Sequence, residues 1–246
     1  MPTLPEILNQ LSFVSQEMIL LGLFLTAGFI LIIKDWRFLI LALLIQYILG
    51  GLILSRLIRP DIAIIKVLIG AFICPILFLS ARQVSIPTPS ILPFNVDYRP
   101  SSRHRFINAW RRVWGNLKVI LFGTYTYRQR HRSSLNDSIF RLLVVLLMIL
   151  VATTLSKTLG LPGLSANITA AVYWLILAGL TILILTDEPL KVGLGLFTTF
   201  TGFDLFYSTI ERSLLLIGLW STINLLVALV IGYLIIVKGA GVEEEI

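Results

Sequence analysis

The sequence predicts an all-α integral membrane protein, a bundle of about seven transmembrane helices, and three observations carry that prediction. Seven apolar stretches, approximately 18–33, 38–55, 61–80, 142–159, 168–186, 189–209 and 214–237, run through the 246 residues. The chain is 57% hydrophobic, with a mean hydropathy of +0.93. Only 13% of its residues are charged, against roughly 25% in soluble domains. A helix needs roughly 20 apolar residues to cross a hydrocarbon core about 30 Å thick, which is close to the length of these stretches. Lipid offers no hydrogen-bond partner to the backbone, so each span must satisfy its own amides as a helix. A β-barrel would show alternating segments of about 10 residues, whereas these stretches are continuous.

Charge sets the expected topology. The net charge is +7, and the segment from Arg82 to Ser138 holds ten lysines and arginines. Such a cluster stays on the cytoplasmic side, which puts the N-terminus outside and the C-terminus inside. Lys34, Asp35 and Arg37 after the first span then fall inside, with Lys191 and the tail from Lys238 to Ile246. Arg56 and Arg59 are the exceptions, at an outer turn. The positive-inside rule accounts for the basic balance, so no nucleic-acid partner is expected. Residues 1–16 carry no lysine or arginine, which argues against a cleavable signal peptide, and residues 5–11 could form a short interfacial helix. The expected location is the cell membrane (plasma or inner), crossed several times.

The spans divide into four segments. Residues 1–81 form a three-span N-terminal repeat, 82–138 a basic cytoplasmic loop, 139–160 a linker span and 161–246 a three-span C-terminal repeat. Gly28 to Asp35 (GFILIIKD) aligns with Gly179 to Asp187 (GLTILILTD). One span between two sets of three leaves both repeats in the same orientation, a parallel duplication. Within the loop, Pro87, Pro89, Pro93 and Pro100 favour extended chain. From Arg103 to Phe122 the pattern becomes helical: Phe106, Trp110, Val113, Trp114 and Leu117 share one side, while Arg105, Arg111, Arg112 and Lys118 point elsewhere. Aromatic anchors beside a basic face mark a helix lying on a membrane surface. Arg103, Arg105, Trp110, Arg111, Arg112, Trp114 and Lys118 are therefore the expected contacts, either tethering the loop to the membrane or docking a cytoplasmic partner.

Polar residues inside spans are the functional candidates, because a central charge costs roughly 2.5–3.5 kcal/mol on insertion scales. Asp204 stands first, within Gly202-Phe203-Asp204-Leu205-Phe206-Tyr207 of the sixth span. Thr201 and Ser208 share its helical face, and Gly195, Thr199 and Gly202 make a separate stripe for close helix contact. A helix with two faces unsuited to lipid should be enclosed by neighbours. Lys66 lies near the outer end of the third span, with Gly70 and Cys74 on its face and Pro75 placed to kink the helix. It either snorkels to the interface or pairs with Asp204, and these two are the proton-path candidates. Gln46 (with Ala42 and Gly50) and Asn224 (with Ser221, Ala228 and Gly232) are expected to hydrogen-bond helix to helix, for about 1 kcal/mol.

No complete catalytic motif is present, and neither a cofactor nor a bound metal is expected. His104 and His131 are isolated in the basic loop, and Cys74, the one cysteine, rules out a disulfide within this chain. There is no nucleophile–base pair, phosphate-binding loop or dinucleotide fingerprint.

A resemblance sharpens the expectation. The segments are Pro189-Leu190-Lys191-Val192-Gly193-Leu194-Gly195, Gly202-Phe203-Asp204-Leu205 and Ile223-Asn224-Leu225-Leu226-Val227-Ala228-Leu229. With them, residues 187–237 resemble the small three-helix membrane subunit of NADH–quinone oxidoreductase (NuoK type) and are similar to its larger relative in membrane-bound hydrogenases (HyfE type). In that family the second and third spans each bear a buried glutamate held to assist proton movement. Asp204 matches the first in chemical type, while Asn224 stands at the second and is not acidic. The resemblance implies a non-catalytic membrane subunit of a proton-translocating assembly, packed beside other membrane subunits. Two alternatives remain open from the residues: a stand-alone small-solute transporter, and a membrane scaffold or assembly factor recruiting a partner through the basic loop.

Overall fold

The computed structural model describes residues 15–33, 35–57, 60–85, 135–211 and 213–241. Among them are seven helices and no strand. They are α1 (Gln16–Ile32), α2 (Trp36–Leu57), α3 (Pro60–Ser85), α4 (Leu135–Thr158), α5 (Ala166–Leu185), α6 (Pro189–Ile210) and α7 (Leu214–Gly241). Each overlaps one expected span: α4 begins seven residues before its apolar run, and every other end falls within five residues of the expected one. Residues 5–11, the basic surface segment 103–122 with its arginine and tryptophan contacts, and the acidic tail lie outside the described residues.

Five of the helices contain windows long and apolar enough to cross a membrane: Trp36–Leu57, Ala63–Val84, Ile139–Thr158, Ala166–Leu185 and Leu214–Lys238. The chain is a multi-pass helical membrane protein. Of the other two helices, α1 is shorter, at 17 residues, and α6 is the one most interrupted by polar and small residues. Local chemistry sets several helix ends. The Ser15 hydroxyl accepts from the Met18 amide at 3.3 Å, capping α1. Pro189 opens α6 at a position where no amide proton is needed. Gly163, at φ 79°, turns the chain between α4 and α5 in a conformation that side chains with a Cβ avoid. Pro75 and the Gly50-Gly51 pair both sit inside continuous helices, so neither breaks a span in two.

α5 and α6 form the inner pair. Gly179 of α5 faces Gly195 and Thr199 of α6 so closely that a Cβ there would strike Thr199 Oγ1 and come 2.5 Å from the Gly195 carbonyl. One turn on, a Cβ at Gly202 would lie 3.0 Å from the Val172 carbonyl. The stripe of Gly195, Thr199 and Gly202 thus meets α5 almost backbone to backbone, the geometry that small residues permit in membranes. α1 packs on α5 through a stacked pair, Phe24 and Trp174, with ring centroids 5.6 Å apart. The Trp174 indole also donates to the Phe24 carbonyl at 3.2 Å, which satisfies a polar N–H that lipid could not.

Corresponding helices of the two three-span segments meet. Trp174 reaches Phe24, 150 residues away, between α5 and α1. Thr201 lies against Gly50 between α6 and α2, and Gly232 against Ser80 between α7 and α3. All three pairs have nearly the same separation in sequence. Ile30 and Leu31 near the end of α1 share a cavity with Ile182 and Leu185 near the end of α5, so these two helices run parallel. α2 and α6 each reverse after a short turn, and they too are parallel to one another.

Candidate functional site

The most informative side chains lie on α6. Thr198, Thr201, Asp204 and Ser208 succeed one another at intervals of three or four residues, with Lys191 two turns before Thr198. All five are buried. Such a stripe would be costly against lipid, and neighbours enclose it: α5 on one side, α2 and α7 on others.

Asp204 is joined to Lys66 of α3 by an ion pair. Each residue is 6% exposed, so Lys66 turns inward to the carboxylate instead of snorkelling to the interface. The neighbourhood is shaped to admit the lysine. Gly50 of α2 leaves an opening in which a Cβ would stand 3.5 Å from Thr201 Cγ2 and 3.9 Å from Lys66 Cε. The Lys66 ammonium also sits 5.0 Å from the centroid of the Tyr47 ring, an attraction worth more when both groups are desolvated. Tyr47 can stand there because Gly70 of α3 has no side chain: a Cβ would fall 2.5 Å from the Tyr47 Cβ. Gly51 lets α3 approach α2 one turn away, with Val67 and the Ala63 carbonyl in the space a side chain would fill. A carboxylate, an ammonium and an aromatic face thus converge from α6, α3 and α2.

The threonines beside the pair are internally occupied but not closed to partners. Thr201 donates to the Phe197 carbonyl at 2.9 Å and Thr198 to the Leu194 carbonyl at 2.8 Å. Each hydroxyl oxygen keeps lone pairs for a further donor. A small cavity of about 10 Å³ opens next to the ion pair, lined by Asp204, Lys66, Tyr207, Ser208, Trp220 and Ser221 with two aliphatic side chains. Ser208 and Ser221 thus come together at Asp204.

At the other end of α6, Lys191 is buried and pairs with Glu188 at 2.9 Å. Arg141 of α4 donates to the Leu31 carbonyl at 3.3 Å, near the end of α1, where the helix leaves carbonyls without internal partners. Lys238 of α7 donates to the Asp187 carbonyl at 2.8 Å. Lys191 and Asp204 are 13 residues apart on one helix, so the two charged ends stand about 20 Å apart along α6.

One of the two buried amides differs from expectation. The Gln46 side chain is fully buried, and neither its nitrogen nor its oxygen has a hydrogen-bond partner. It therefore does not bond one helix to another. Gln46 stands one turn before Gly50, whose Cβ position faces Thr201 of α6, and no polar group of a neighbouring helix comes within bonding distance of its amide. Asn224 is likewise buried, and its side-chain oxygen is unpartnered. Its face does pack as a helix contact, since Gly232 meets Ser80 of α3.

The sequence reading missed Tyr47, Trp174 and Trp220. The signal for Tyr47 was the glycine four residues after Lys66, a hole that something large had to fill. Among the described residues, no three histidine, cysteine, aspartate or glutamate side chains come together as a metal site would require.

A polar face on one enclosed helix, with a buried ion pair inside an apolar bundle, defines the class as a multi-pass membrane protein with an ionisable interior. Comparison with protein-family profiles, with curated proteins and with solved structures returns no match for this chain.

Proposed function

We propose that this chain is a non-catalytic membrane subunit of a proton-translocating assembly of the oxidoreductase or hydrogenase type, residing in the cell membrane, in which Asp204 and Lys66 exchange and pass a proton. The buried ion pair is the observation that carries the reading. An ionisable residue inside a membrane span is costly, pairs with a partner and is a functional candidate by default. A proton delivered to Asp204 neutralises its carboxylate and removes the attraction that holds the Lys66 ammonium. The lysine is then free to turn toward the Tyr47 ring or to give up its own proton. Protonation at one atom and movement of a charge thereby become one coupled event, the property a proton-coupled membrane subunit needs.

The second charged end of α6, with Lys191 and Glu188, and the hydroxyls of Thr198 and Thr201 between the ends, give the reading its direction along the helix. The resemblance of residues 187–237 to the NuoK and HyfE subunits supports the same assignment, with Asp204 where that family carries a glutamate. Electrons would move in partner chains, and this chain would supply ionisable groups and helix contacts.

Affinity purification of the full chain from its native membranes in mild detergent is expected to bring down larger membrane subunits and redox proteins. Recovery of the chain alone under conditions that preserve other membrane complexes would overturn the subunit role. In inverted vesicles, Asp204→Asn is expected to lower substrate-driven proton uptake by roughly tenfold or more, the scale of a lost acid–base group. Uptake at the normal rate would remove the proton role.

A further inference from the structure

The cavity beside Asp204 has features that the ion pair alone does not require. It lies where α6 turns into α7, between Tyr207 and Ser208 on one helix and Ile217, Trp220 and Ser221 on the other, with Leu54 of α2 closing a side. Its volume is about 10 Å³, at the lower edge of the roughly 10–15 Å³ that a cavity needs to hold one water molecule. The groups around it suit a water: the Asp204 carboxylate and the two serine hydroxyls can accept, and the Lys66 ammonium can donate. The Trp220 indole N–H is buried and has no hydrogen-bond partner. The rest of that ring is committed, lying 5.5 Å from Phe200 and 5.2 Å from Phe203. Phe203 stacks in turn on Tyr207 at 5.6 Å. These rings stack beside the cavity, which lies near the turn between α6 and α7.

We propose that this cavity is a binding site for a single water molecule, held by Trp220, Ser221 and Asp204, and that Asp204 exchanges its proton with the solvent at the α6–α7 end of the bundle through that water. A polar cavity of this size with two to four partners holds water, whereas a void lined by aliphatic groups stays dry. In the exchange step a protonated Asp204 gives its proton to the water as the water passes one of its own outward to solvent, so the water ends neutral and the carboxylate left behind is paired again with the Lys66 ammonium. The proposal rests on the proton role of Asp204 and names its access route and side. Trp220 and Ser221 position the water and take no proton themselves.

X-ray radiolytic labelling of the full chain in nanodiscs reads the site directly, since hydroxyl radicals form at bound water. Trp220 is expected to be modified about tenfold faster than Trp174, which is fully buried and whose indole N–H is taken by the Phe24 carbonyl. Filling the cavity with Ser221→Val, or independently with Ile217→Phe, should bring Trp220 down to the Trp174 rate. In native vesicles the same variants should lower proton uptake by about tenfold. Trp220 labelling as slow as Trp174 in the unaltered chain would overturn the water site. Cavity-filled variants that keep full proton uptake, while Asp204→Asn loses it, would overturn the route. Full uptake in Asp204→Asn would instead overturn the proton role on which the route depends.

Discussion

α6 and α4 invert the usual relation between polarity and burial. α6 buries Lys191, Thr198, Thr201, Asp204 and Ser208 together with its glycines. α4 between Ile139 and Thr158 is mostly apolar, and its window is only 17% buried, with Leu142, Leu143, Leu146 and Leu150 each more than half exposed. In water the second helix would drive folding and the first would face solvent. In lipid, apolar surface gains little by being covered, so packing is left to small residues, hydrogen bonds and ion pairs. The difference shows where the stability of this bundle resides: in close approach and polar pairing around α5 and α6, not in the greasiest segments.

The largest effect should come from breaking the charge pair on the enclosed side of that comparison. Removing one partner of a buried pair leaves an uncompensated charge and typically costs about 3–5 kcal/mol. Lys66→Met alone and Asp204→Leu alone are each expected to destabilise the chain on this scale in detergent-titrated unfolding. The double variant should recover most of the loss, because two apolar groups of similar size suit the interior. Singles that cost less than about 1 kcal/mol, as exposed pairs do, would mean the pair is solvated and α6 is not enclosed.

Next in size is the backbone contact between α5 and α6. Gly179→Ala puts a methyl group against Thr199 and the Gly195 carbonyl, and backbone cannot rotate away as a side chain can. Overpacking of this kind costs about 1–3 kcal/mol. Gly218 on α7 offers the control, since nothing lies within 4 Å of a Cβ there. Gly218→Ala should be neutral or stabilise by up to about 1 kcal/mol, the helix-propensity gain. Equal effects at the two glycines would erase the distinction between an inner and an outer helix.

How far this comparison was legible in the sequence depends on what each feature needed. Span number and position require only the length of apolar runs, and all seven helices fall where those runs lie. The enclosure of α6 was legible because Asp204, Thr201 and Gly202 sit in one short segment that lipid could not accommodate on every side. The partner of Asp204 was half legible, as a lysine at matching depth. Aromatic placement was not: Tyr47, Trp174 and Trp220 stand in runs apolar on all faces, where no periodic contrast says which side faces inward. Gln46 misled for a related reason. A glutamine in a span invites the expectation of an interhelical hydrogen bond, but whether a polar group of the facing helix comes within reach depends on packing detail that the sequence does not carry.

Gln46 gives the third test, at about 1 kcal/mol. A buried amide without partners bears its desolvation cost uncompensated, so Gln46→Leu is expected to stabilise the chain by about 1 kcal/mol. A loss of similar size would show that Gln46 has a partner in the membrane, and the interior of α2 would then belong with α6.

The smallest effect belongs to α4, and it separates lipid from protein as the cover of its exposed face. Leu146 is 68% exposed, and truncating it leaves no internal cavity. Leu146→Ala should therefore change the stability of the isolated chain by no more than about 0.5 kcal/mol, the range of surface substitutions. In the proposed assembly the same face has two possible neighbours with different consequences. If lipid covers it, Leu146→Ala and Leu150→Ala leave the recovery of partner subunits unchanged. If a membrane subunit packs there, recovery falls while the isolated chain keeps its stability, since the lost contacts belong to the interface. A destabilisation of 2 kcal/mol or more in the isolated chain, as for a core leucine, would sink the comparison itself, because the outer face of α4 that carries Leu146 would then be a buried one.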